Sequence, residues 1–174
     1  MGERIDDPNA LSVTGFAVIA ISALSACSQG SPPNLSEVAS TALYSTFDEE
    51  LGGLEEWAAS ERPGARISIC VETEVEFDFA AMGRAFSETP LVPVSAEECT
   101  TKDVPTDDPI FSHYIYHFDA NGDAAIGVKI SDVRCATSAE CEVDIDHSGS
   151  GDTYHLERTG KTWTVTKREM RWVV

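Results

Sequence analysis

Tyr154-His-Leu-Glu-Arg-Thr-Gly-Lys-Thr-Trp-Thr-Val165 decides the fold. Tyr154, Leu156 and Arg158 alternate with His155, Glu157 and Thr159 up to Gly160, and beyond Lys161 the pattern resumes with Trp163 and Val165. Period two with a glycine turn in the middle is a β-hairpin that sends one face of each strand to a core. Beyond it, Met170, Trp172 and Val174 fall on the opposite phase from Trp163 and Val165. A single β-bulge near 167–169 would return all five to the core face, since one extra residue reverses side-chain parity. Trp172 is accordingly expected in the core.

The same alternation extends upstream. It predicts strands at 113–119, 124–134, 141–147, 152–158 and 162–174, joined by turns at Asn121-Gly122, 147–151 and 159–161. Further upstream, Ile67, Ile69, Val71, Thr73 and Val75 alternate with Ser68, Cys70, Glu72, Glu74 and Glu76, a half-buried strand over 66–76. Pro90-Leu-Val-Pro-Val94 is extended, and two prolines confine it to a sheet edge. The stretch 99–109 reads as a surface loop.

Helical spacing is confined to the N-terminal third. Leu35, Val38, Ala39, Ala42, Leu43 and Phe47 form one apolar stripe, with Asn34 or Ser36 as N-cap and Gly52-Gly53 as the stop. A second short helix is expected through 54–59, and a third, capped by Asp78, through 80–86. The fold class is therefore α+β: N-terminal helices packed on a C-terminal antiparallel meander of about four to five strands.

Two resemblances accompany this reading. Tyr154, Leu156, Arg158, Gly160, Trp163 and Val165, followed by Arg171-Trp-Val173, resemble the closing hairpin of many small secreted bacterial proteins of unassigned function. Pro90–Cys99 is similar to an upstream segment of the same proteins. The resemblance covers about half of the domain and implies no activity. A looser similarity links the closing strands to cone-shaped, nuclear-transport-factor-like domains, whose long N-terminal helix hairpin is not evident here.

The apolar run Gly15–Ala26, ending Leu24-Ser25-Ala26-Cys27, resembles the lipobox of bacterial lipoproteins. Its length suits a signal h-region and falls short of the roughly 18–20 residues a membrane span needs. The resemblance implies a signal peptide over 1–26, acylation of Cys27, a tether over 27–34 and one domain over 35–174. Ser28 after the cysteine implies the outer membrane, facing the periplasm, in a Gram-negative host. Glu3, Asp6 and Asp7 against Arg4 make an acidic lead-in where a signal n-region is basic, so a translation start nearer the apolar run is an alternative.

Four cysteines remain: Cys70, Cys99, Cys135 and Cys141. An even count in an exported chain reads as two disulfides, and no C-x₂-C spacing supports a metal site. Cys135 and Cys141 flank a five-residue loop between two expected strands, so they pair with each other and leave Cys70 for Cys99.

With 30 acids against 12 lysines and arginines, the chain carries −18, which excludes a broad basic face for nucleic acid or anionic lipid. No G-x-S-x-G, P-loop or H-E-x-x-H occurs, and no cofactor or metal is implied. His113 and His117 share a strand and would lie about 13 Å apart, too far for one metal. His147 and His155 could face each other across a hairpin. Asp119-Ala-Asn-Gly-Asp123 imitates the start of a calcium loop but has Ala124 and Ile130 where glycine and glutamate belong. Glu72, Glu74 and Glu76 would form an acidic row, the candidate partner surface.

The leading expectation is an envelope-anchored lipoprotein that binds a protein or small ligand without catalysis. A small hydrolase or isomerase of cone-shaped fold and an inhibitor or immunity-type protein are the alternatives.

Overall fold

The structure is a computed structural model that describes residues 31–61 (backbone alone from 49), 66–75, 77–107 and 113–173. Its order is α1 (Leu35–Glu61), β1 (Ile67–Thr73), α2 (Phe79–Ala85), β2 (Leu91–Ser95), a 3₁₀ turn at Ala96–Glu98, β3 (Thr100–Pro105), β4 (His113–Phe118), β5 (Ala124–Cys135), β6 (Glu140–His147), β7 (Ser150–Thr159) and β8 (Thr162–Val173). The class is α+β. The sheet, however, is a mixed one of eight strands, ordered β2-β1-β5-β6-β7-β8, with β3 and β4 attached beside β5. β4 to β8 pair in the expected antiparallel order, β4 meeting only the start of β5, but β1 runs parallel to both β2 and β5.

Asn34 caps α1, its Oδ1 accepting the N–H groups of Ser36 at 3.1 Å and Glu37 at 3.4 Å. The stripe Val38, Ala39, Ala42, Leu43 and Phe47 is buried against the sheet and α2. Ser36, also buried, accepts the N–H of Asp78, which itself caps α2 by accepting from Ala81. The expected break at Gly52-Gly53 does not occur. One helix continues through both glycines to Glu61 in place of two; a glycine costs only about 1 kcal/mol in a helix interior and does not oblige it to stop.

The core lies between the helices and one face of the sheet. Ile69 and Val71 of β1, Val128 and Ile130 of β5, Val143 and Ile145 of β6, Tyr154 and Leu156 of β7 and Trp163 of β8 all point into it. β2 lies at the sheet edge as its prolines require, with Pro93 opposite Ile69. Segment 99–109 is not a plain loop, since Thr100–Pro105 pairs along its whole length with β4.

β8 corrects the expected burial of Trp172. Two register shifts interrupt its pairing with β7, one opposite His155/Leu156 and one opposite Gly151/Asp152. The first turns the strand's parity and the second turns it back. Trp163 stays buried and Val165 packs against the core, whereas Met170, Trp172 and Val173 are exposed. Val174 lies outside the described residues.

Two disulfides bind the sheet. Cys135 and Cys141 are directly opposed across β5 and β6, with Cα atoms 4.0 Å apart. Cys70 projects from the face of β1 away from the helices and joins Cys99 at the root of β3, Cα atoms 6.2 Å apart. On the chain-entropy view the shorter loop contributes about 2 kcal/mol and the longer about 3.5. Among the described residues no helix is long and apolar enough to cross a membrane.

Candidate ligand groove

The face of the sheet away from the helices is polar. Glu142, Asp144 and Asp146 alternate with buried Val143 and Ile145 along β6, and cations from both sides converge on them. Arg134 reaches Asp144 and Asp132 at 2.7 Å and Glu142 at 3.1 Å. Arg171 pairs with Asp146 at 2.5 Å and approaches Asp144 at 3.8 Å. The Thr153 hydroxyl donates to Asp144. Burial pushes the Asp144 carboxyl up, but the hydrogen bonds of Arg134 and Thr153 and the charges of Arg134 and Arg171 outweigh it and hold the group below its ordinary value.

At one end of this face lies a groove of about 750 Å³ beside the β3–β4 hairpin. Its lining includes Ile115, His113 and His117 of β4, Glu72 and Cys70 of β1, Gly127 and Lys129 of β5, and the β6–β7 turn at 147–149. Trp172 completes it from β8. Two glycines allow the approach of its rings. A Cβ on Gly127 would overlap the His117 imidazole, and one on Gly151 would overlap the Trp172 indole. The Trp172 Nε1–H donates to Asp146 at 3.1 Å, which fixes the ring.

Three of the apolar side chains left over by the core, Tyr114, Ile115 and Trp172, line the groove. Tyr114, Ile115, Tyr116, Met170, Trp172 and Val173 are the exposed large hydrophobics among the described residues. All six belong to β4 or the end of β8, the strands that bring Ile115 and Trp172 to the groove. Ile115 is 64% exposed and Trp172 41%.

The acidic row does not form as expected. β1 ends at Thr73, so Glu72 lies on the strand, Glu74 falls in the bend beyond it, and Glu76 is outside the described residues. The period-two pattern runs past the strand because Thr73 is the last residue with a partner on β5. Glu72 accepts from Lys129 at 2.8 Å. That hydrogen bond and charge raise the Lys129 ammonium above its ordinary value, with smaller contributions from Glu74 and Asp146.

His113 and His117 do share one strand, His113 pairing with Asp103 at 2.9 Å. His147 and His155 do not face each other. His147 stands opposite Ser150 at the hairpin end, while His155 is opposite Glu142 and lies between Glu142 and Glu169. The Ser150 hydroxyl, at 3.1 Å, and the Asp152 carboxylate, at 3.5 Å, both approach His147 Nε2. A nucleophile relay needs serine and carboxylate on opposite nitrogens of the imidazole. Asp152 is moreover engaged by Arg168 at 2.9 Å.

Asp119 acts as a turn residue. Its Oδ1 accepts the N–H groups of Asn121 and Asp123, and its Oδ2 accepts from Ser68. Burial works against ionisation, but these donors hold its carboxyl below the ordinary value. Gly122 alone in that turn takes positive φ, 80°, so the connection is longer than the two-residue hairpin that Asn-Gly suggested.

Among the described residues no group of three or more histidine, cysteine, aspartate or glutamate side chains is placed to hold a metal. The lipobox and Cys27 lie outside the described residues. Sequence reasoning missed the groove because it assigned Trp172 to the core; Ile115, a lone aliphatic residue between tyrosines and histidines, was the available signal. Comparisons with known protein families, with curated proteins and with solved structures found no match to this chain.

Proposed function

We propose that this chain is a lipid-anchored envelope protein that acts by binding, with the groove beside β4 as its ligand site. The observation that carries the binding reading is the groove itself, which Ile115 and Trp172, both exposed large hydrophobics, line in an otherwise strongly charged molecule. Apolar side chains exposed in a groove are costly in water and mark interaction sites. A volume of about 750 Å³ falls in the range of ligand clefts.

Leu24-Ser25-Ala26-Cys27 supports the anchor. The seven residues from Ser28 to Asn34 span at most about 25 Å, so the groove would work close to the membrane, on the periplasmic side of the outer membrane in a Gram-negative host.

Two measurements test the two halves of the reading. Labelled palmitate fed to an expressing bacterium is expected to label the wild type, while Cys27→Ala accumulates unlabelled precursor; equal labelling ends the anchor. For binding, the full chain carrying Cys27→Ala is used as bait in envelope extract. A partner captured by it is expected to be lost when Ile115→Ser is added, and capture unchanged by Ile115→Ser removes the groove as the site.

A further inference from the structure

We infer that the groove takes a short basic peptide segment of a protein partner, one that carries an apolar side chain beside a lysine or arginine. This rests on the binding reading above and names the class of ligand.

The groove lining holds the carboxylates Glu72 and Asp146 against Lys129, and the charge of Glu74 reaches Lys129 from outside it. Lys129 is paired with Glu72 and lies within the field of Glu74 and Asp146. Arg171 answers Asp146 from the side. Two cations thus serve three carboxylates, which leaves room for one more positive charge. At the mouth, the Trp172 indole is held in place by Asp146 and is still 41% exposed. An indole face next to carboxylates attracts ammonium and guanidinium groups. Ile115 supplies the apolar contact.

Two further observations select a peptide. The groove, at about 750 Å³, is larger than a small cation would fill, and Tyr114 joins Ile115 and Trp172 in its lining. A second copy of this chain is disfavoured because it would bring another −18 to the same face. The same charge draws a basic segment in and raises its on-rate.

The test is titration of three fluorescent peptides with the purified full chain carrying Cys27→Ala. One peptide alternates lysine with leucine, one glutamate with leucine and one lysine with serine. The lysine–leucine peptide is expected to bind at least about tenfold tighter than either control. That affinity is expected to fall by about tenfold in Ile115→Ser, whose side chain is exposed and whose fold is therefore kept. It should also weaken steeply as salt rises to about 0.5 M. Equal binding of the glutamate–leucine peptide would overturn the inference, as would equal affinity of Ile115→Ser or self-association of the chain in place of peptide binding. If no peptide binds while Ile115→Ser still abolishes capture from envelope extract, the ligand class is wrong and the groove remains the site.

Discussion

On the helix side of the sheet, Ile69, Val128, Ile145 and Leu156 are at most 4% exposed and meet only other side chains of the core. On the other side the same strands present Cys70, Lys129, Asp146 and His155, held by a disulfide and by ion pairs. Adjacent residues on one strand thus face two solvents. The inner face owes its stability to apolar area removed from water, which salt and pH hardly change. The outer face is held by charge pairs that water screens, so its contribution is smaller and responds to conditions. On the proposed reading, recognition uses the second face, where a partner's charge can be added without opening the core.

The widest difference is expected from Leu156→Ala, which empties a fully buried site and should cost about 2–5 kcal/mol in urea denaturation at neutral pH. A cost under about 1 kcal/mol would mean that the two faces do not differ as described.

Arg134→Ala comes next. It removes the cation from Asp144, whose side chain is only 12% exposed, but Arg134 itself is 43% exposed. A loss of about 1.5 kcal/mol at neutral pH follows, the low end for hydrogen bonds to a charged group. The pH dependence sharpens the point. Because folding lowers the Asp144 pKa, its contribution is present above the ordinary aspartate range and is lost as pH falls through the lower folded value. The gap between wild type and Arg134→Ala should therefore close in acid. Denaturation curves taken down to about pH 2 test this, and a gap that stays constant would show that Arg134 acts through packing.

Trp172→Ala is expected to have the smallest effect on stability, under about 1 kcal/mol by thermal melting, because the ring is half in water. A cost near that of Leu156→Ala would return Trp172 to the core.

The contrast between the faces also explains what could be read from the sequence. β5 to β7 and the start of β8 were legible because one side of each is buried, and burial is what writes an alternating pattern. β3 was not legible. Its residues Thr100–Pro105 are nearly all exposed, so the strand is held by pairing to β4 alone and leaves no apolar trace. α1 overran Gly52-Gly53 because glycine permits a helix to end but does not require it. The groove was hidden for a third reason. Ile115 and Trp172 are chemically indistinguishable from core residues, and only the second bulge in β8, invisible in composition, turns Trp172 outward. The disulfide pairing was readable, since Cys135 and Cys141 flank a short connection and Cys70 and Cys99 are what remain.

The parallel pairing of β1 with β5 imposes an order on the making of the molecule. Ile69 meets Ile126 and Thr73 meets Ile130, partners that lie more than fifty residues later in the chain. The meander from β5 onward closes through turns of a few residues and has low sequence separation throughout. A chain emerging from its N-terminus can pack α1 on α2 and pair β1 with β2, but the other edge of β1 stays open until β5 arrives. The segment 124–173 supplies the strands that close the sheet the first elements begin.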